Sequence, residues 1–177
     1  ADADGIVSAD VHSSVSGEVL KVEEIEGEFG YLEQMITIRV EGDEWEPSID
    51  RTPGIVREIG ASPEEIIAKI REAGIVGMGG AGYPTPIKTV VPADKKVDCL
   101  IVNGIECEPY LTADHRLLLE KPDEILVGVD LIMKAVGVNK GYIGIENNKP
   151  DAIALLTEKA KAYSHIEICL LYTSPSP

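Results

Sequence analysis

From Ser62 onward the apolar residues alternate between two periods, and no other feature limits the fold of this chain as tightly. Residues 98–104 (DCLIVNG), 140–148 (KGYIGIENN) and 165–171 (HIEICLL) are short, nearly continuous apolar runs. Runs of that length suit strands buried on both faces. Between them lie helix-length stretches, PDEILVGVDLIMKAVG and KPDAIALLTEKAKAY. Strands alternating with helices imply a parallel α/β sheet. Ser62-Pro63-Glu64-Glu65 opens an earlier helix as a capping box with proline at the first helical position. Ile66, Ile67 and Ile70 give that helix its apolar stripe, and Gly74 its stop. Thr112 is expected to cap a further helix running to Glu120.

Residues 1–47 obey a different period. VSADVHSSVSGEVLKVEEIEG reads as a short strand, a turn at residues 13–17 and an extended stretch. In MITIRVEGDEW, Ile36, Ile38 and Val40 fall on one face and Thr37, Arg39 and Glu41 on the other. This is a small β module that ends at Trp45, the single tryptophan. Residues 48–61 connect it to an α/β domain over residues 62–171, and EPSIDRTPGIVREIG at this junction holds two prolines. YTSPSP, residues 172–177, is either a natural loop or foreign sequence after a cut. The second is expected, because an α/β sheet does not normally stop as a strand emerges.

Composition excludes several classes. A net charge of −15 repels phosphates over most of the surface, against nucleic acid or anionic lipid as a partner. No apolar run approaches the length of a membrane span. Cys99, Cys107 and Cys169 form neither a disulfide framework nor a CxxC site, which fits a reducing, intracellular compartment. Any anionic ligand must therefore be held by a local device, such as backbone N–H groups or one placed lysine.

The stretch GIVGMGGAGYPTPIK supplies such a device. Gly77, Gly79, Gly80 and Gly82 satisfy G-x-G-x-x-G, but the context is wrong for a dinucleotide fingerprint. A helix precedes the loop, and Pro84 and Pro86 interrupt the helix that should follow. Four glycines leave room for a planar ring against the backbone. Tyr83 adds an aromatic face, and Lys88, about one turn after Pro84, brings a charge suited to a phosphate. A flavin mononucleotide fits this better than an extended dinucleotide.

The second element is VNGIECEPY, at the C-terminal end of a strand, where open α/β sheets bind ligands. Asn103 can donate to and accept from a flavin ring edge or ribityl chain. Glu106 and Glu108 can accept from ribose or ribityl hydroxyls, or they are solvated loop charges. Cys107 lies between these carboxylates, which disfavours its thiolate and gives it no catalytic role. ENNKPDA, residues 146–152, either touches the ligand or lets Asn148 cap the helix entered through Pro150. His12, His115 and His165 are scattered, without metal-like partners nearby in sequence. GEFGYLEQMIT lacks the lysine of a biotin or lipoyl carrier.

GMGGAGYPT together with VNGIECEPYLTADHR resembles the C subunit of Rnf complexes, the membrane-associated ferredoxin:NAD oxidoreductases. More distantly it resembles the FMN- and NADH-binding subunit of respiratory complex I. GIVSADVHSSVSGEV is similar to the barrel-sandwich module that precedes the flavin-type domain in the Rnf subunit. The resemblance implies that Gly77, Gly79, Gly80, Lys88, Asn103 and Glu106 lie on the flavin side, with Tyr83 and Glu108 on the nucleotide side. Gly82 completes the loop. Ile105 departs from the complex I pattern, in which that position is acidic and accepts a hydrogen bond from the flavin.

The resemblance further implies FMN and NAD(H) as cofactors, and 4Fe-4S clusters held only in a C-terminal part that this chain lacks. Hydride would pass between nicotinamide and FMN, with no acid–base catalyst in the protein and no metal site in this chain. The expected setting is a translocase-type oxidoreductase, active only in the full-length chain and complex. It would sit at the cytoplasmic face of the inner membrane through other subunits, with ferredoxin an indirect partner. The alternative is a soluble, flavin-free electron-transfer or scaffold protein that docks redox partners.

Overall fold

The computed structural model of the chain describes residues 1–5, 7–52 and 54–172. Ile6, Pro53 and residues 173–177, most of the expected tail, lie outside the described residues. Two compact units are present, Ala1 with Val11–Pro53, and Asp2–Asp10 with Gly54–Pro177.

The first unit is built on an antiparallel hairpin of β1 (Gly17–Glu26) and β2 (Leu32–Val40). Its turn is closed by Gly27 N–H donating to the Tyr31 carbonyl at 2.8 Å and Gly30 N–H to Gly27 at 3.0 Å. Val19 pairs with Ile38 and Val22 with Ile36, across an irregularity between Val19 and Lys21. That register gathers Val19, Val22, Ile36 and Ile38 on one face, as the alternation predicts. Arg39 pairs with Glu18 on the other face at 2.6 Å. The Arg51 guanidinium lies over the Trp45 ring, 4.4 Å from its centroid.

The short strand expected before Ser13 does not form. Side chains there take backbone partners that a ladder would need. Asp10 accepts from Ala3 N–H at 2.7 Å, and Ser8 Oγ accepts from Asp4 N–H at 3.1 Å.

The second unit is α/β, as the alternating periods require. Its elements are α1 (Pro63–Glu72), α2 (Thr85–Lys88), β3 (Leu100–Gly104), α3 (Ala113–Glu120), α4 (Pro122–Val136), β4 (Gly141–Glu146), α5 (Pro150–Ala160) and β5 (Ile166–Leu171). The three strands form one parallel sheet in the order β3-β4-β5. Strands added in sequence by right-handed crossovers place their helices on one face. The core agrees: Leu118 of α3, Leu126, Val129 and Met133 of α4, and Ala152 and Leu156 of α5 pack with Ile143, Ile145 and Ile166. Leu126, Ile143, Ile145 and Leu156 are fully buried, each contributing about 1.5–3 kcal/mol by burial. The opposite face carries Ile101, Asn103, Tyr142, Gly144, Cys169 and Leu171 in register. Ile101 there is 72% exposed.

α1 begins with the expected capping box. Ser62 N–H donates to Glu65 Oε2 at 2.7 Å, and Glu65 N–H donates to Ser62 Oγ at 3.2 Å. It ends with Gly74 N–H on the Arg71 carbonyl and Ile75 N–H on that of Ile70, with Gly74 at φ +65°. The segment ahead of α1 is pinned to the helices behind it. Arg57 meets Asp123 at 3.1 Å, Lys159 meets the same carboxylate at 2.7 Å, and Lys134 Nζ donates to the Ile59 carbonyl at 2.6 Å. Lys159 and then Arg57 hold Asp123 below the usual aspartate value.

Two expected helix caps differ. Thr112 and Lys149 occupy the N-cap positions of α3 and α5, and neither side chain makes a capping bond. Asn148 is therefore not the cap of α5.

Candidate functional site

The glycine stretch is a pinched loop. Ile75 and Val76 leave α1 and meet the entry to α2 through an antiparallel bridge of Val76 with Pro84. Gly77 N–H donates to the Tyr83 carbonyl at 2.9 Å, and Thr85 N–H donates to the Ile75 carbonyl at 3.0 Å. The chain between is a tight excursion whose ends are fixed and whose tip is mostly glycine. Gly80 at φ +100° and Gly82 at +59° take backbone conformations that L side chains rarely adopt.

The two sides of this loop differ. A Cβ at Gly79, Gly80 or Gly82 would meet nothing within 4 Å. At Gly77 it would run into Lys88 Nζ, so the ammonium is folded back against the loop. Lys88 ends the four-residue α2, and Thr89 behind it is buried with its hydroxyl on the Pro86 carbonyl at 2.8 Å. Tyr83 is 40% exposed beside the open side.

The second group lies where β3 ends. Asn103 Oδ1 accepts from Ile105 N–H at 3.2 Å, which turns the chain away from the strand and leaves the amide NH2 for another partner. Glu106 turns toward α3 rather than outward. Its carboxylate accepts from Asp114 N–H at 2.7 Å and His115 N–H at 3.1 Å, two of the free donors that open α3. Partial desolvation pushes its carboxyl up. Those two N–H groups, with the charges of Lys149 and His115, outweigh that and hold it below the ordinary glutamate value. His115 Nε2 then lies 2.9 Å from Asp151 of α5 and lowers the pKa of that carboxyl. Glu108 is exposed and starts a turn in which Leu111 N–H donates to its carbonyl at 3.2 Å. Proline in second place and Tyr110 at φ +67° in third give that turn its shape.

Gly77 through Lys88 thus form one group, and Asn103, Glu106 and Glu108 another at the strand end. Among the described residues no hydrogen bond or ion pair joins the two groups. One strand-end side chain was read only as part of the segment 146–152, without a role of its own. Glu146, the last residue of β4, is only 9% exposed. Its signal was a charge closing a run that is otherwise apolar or aromatic. His165, expected to begin the last strand, instead precedes β5 and lies 2.7 Å from Asp130.

The arrangement fits a flavin mononucleotide. The open glycine surface admits a flat ring, the ammonium beside Gly77 suits a phosphate, and Asn103 offers a free amide donor. Among the described residues no group of three or more His, Cys, Asp and Glu is set to hold a metal ion. No helix among them is long and apolar enough to cross a membrane.

The sequence profile of the Nuo51 FMN-binding domain matches residues 70–174. The C subunit of the Na+-translocating ferredoxin:NAD+ oxidoreductase complex of Acetobacterium woodii is 44% identical over 173 residues, covering 97% of this chain and 38% of the relative. Its counterpart in the proton-translocating complex of Clostridium ljungdahlii is 46% identical over 154 residues, covering 86% and 33%. The counterpart in the ion-translocating oxidoreductase complex of Rhodobacter capsulatus is 41% identical over 172 residues, covering 93% and 32%. The chain thus spans about a third of the length of these relatives. Among solved structures it is similar to an NAD+-reducing [NiFe]-hydrogenase at 26% identity and a TM-score of 0.50, covering 62% of this chain and 21% of that one.

Proposed function

The chain belongs to the family of the Nuo51 FMN-binding domain, and from that premise we propose that it is the flavin- and nucleotide-handling part of an electron-transfer subunit. The whole protein would serve a membrane-bound, ion-translocating ferredoxin:NAD oxidoreductase. FMN, when bound, exchanges a hydride with nicotinamide and passes electrons on singly. The residues here bind and orient. Gly79, Gly80 and Gly82 leave a surface without side chains, and Lys88 beside Gly77 offsets phosphate charge. Asn103 donates through its free amide, while Tyr83 and Glu108 flank the nucleotide. Glu106 fixes the start of α3. That holds the strand-end loop in place.

In this reading electrons leave for 4Fe-4S clusters in other parts of the longer polypeptide. Partner subunits hold the protein at the cytoplasmic face of the membrane, and ferredoxin is reached through them. The hairpin of β1 and β2 belongs to a barrel-sandwich module. One observation carries the proposal: a glycine loop pinched at its base, open on one side, with an ammonium folded against it.

Quenching of FMN fluorescence by the full-length protein tests this. Saturable binding is expected, with Gly79→Asp weakening it on the order of a hundredfold through a misplaced negative charge. Because a side chain at Gly79 meets open space, the variant should melt with the parent. A folded parent that binds no FMN would replace this function with that of a flavin-free docking protein.

A further inference from the structure

Glu146 is more than nine-tenths buried, yet among the described residues its carboxylate has no hydrogen-bond or ion-pair partner. The other strongly buried polar side chain, Thr89, has its partner in the Pro86 carbonyl. Among the described residues no side-chain oxygen fully sealed from solvent lacks a partner, so the Glu146 oxygens reach the surface. A side chain so largely buried, with its carboxylate unpartnered at the surface, presents an open acceptor. Its presence therefore points to a donor that arrives with a ligand.

Its position narrows the choice. Glu146 closes β4 at the C-terminal ends of parallel strands, where such sheets take ligands. Alternation sets it on the face of Asn103 and Gly144, opposite Ile143 and Ile145, which are fully buried with the helices. Gly104 is in register with Ile145, so Glu146 lies one step beyond the last paired residue of β3, where the chain turns off through Ile105. Ile105 is the position where the flavin subunit of complex I carries an acidic acceptor.

We infer that Glu146 supplies from β4 the acceptor that Ile105 does not supply from β3. It takes a hydrogen bond from a ring N–H or a ribityl O–H of the flavin. This rests on the flavin-binding function proposed above.

The test is a set of titrations and melts on the full-length protein, with FMN and with lumiflavin, which keeps the ring N–H and lacks the ribityl hydroxyls. Glu146→Gln keeps the volume and removes the charge. It should weaken FMN binding about tenfold or more. The same variant should leave the melting temperature of the flavin-free protein near that of the parent, because the carboxylate has no protein partner to lose. Ile105→Asp combined with Glu146→Gln should recover affinity. A matching loss for lumiflavin assigns the donor to the ring, and a loss for FMN alone assigns it to the ribityl chain. If the parent binds FMN and Glu146→Gln binds it equally well, the inference fails while the flavin function stands. A lower melting temperature with unchanged affinity would make Glu146 a structural residue and also overturn it. A parent that binds no flavin removes both.

Discussion

The glycine loop and the strand-end carboxylates occupy the same unit but are built on opposite terms. In the loop the backbone does the shaping: two main-chain hydrogen bonds close the base, and the tip works by having no side chains. At the strand end everything depends on side chains, and similar side chains part ways. Glu106 is committed to the first N–H groups of α3, whereas Glu146 is largely buried and its carboxylate has no partner among the described residues. Residue type alone does not tell a binding carboxylate from a structural one. The deciding quantity is whether the fold already satisfies it.

That contrast can be broken most severely in the loop. Gly80→Val places a β-branched residue at φ +100° and should cost about 1–2 kcal/mol of stability, read as a lower urea midpoint. It should abolish FMN quenching as well. Retained binding would show that the ligand does not use the open side.

A smaller effect is expected at Glu106. Glu106→Gln should lower the melting temperature by about 2–4 °C, as loss of a helix cap does, with less effect on FMN affinity than Glu146→Gln. The pH dependence has a definite sign. The folded-state pKa of Glu106 lies below its ordinary value of 4.5, so its stabilisation is complete above that pH. It is lost as pH falls through the folded value. The melting-temperature gap between parent and variant should therefore close in acid, and a gap that stays constant would remove Glu106 from its capping role. The smallest effect belongs to Thr112→Ala, within about 0.5 kcal/mol, since that hydroxyl makes no capping bond. A loss well above that would return the cap to Thr112.

Most of the architecture of the second unit was legible because its signals are local. The capping box of α1, the apolar stripes and the continuous strand runs each lie within a dozen residues of what they specify. The loop was legible for the same reason, since glycines and prolines act on their own backbone. Two features were not. The cap of α3 comes from Glu106, eight positions before the Asp114 N–H it accepts from, and it displaces the adjacent Thr112. Glu146 looks in sequence like the polar end of a strand, and its importance emerges only from burial and from its place on the face of Asn103. In the first unit the alternation of β2 was readable, but the strand expected before Ser13 gave way, over residues 3–10, to Asp10 and Ser8 bonding to the backbone.

The stacking of Arg51 on Trp45 has a use in following these molecules in solution. Trp45 is the single tryptophan, and it lies in the first unit. Indole emission therefore reports that unit alone, while the emission of an added flavin reports the second. One thermal ramp recorded in both colours would time the loss of each unit separately. It would also reveal whether a substitution in the glycine loop is felt by the hairpin.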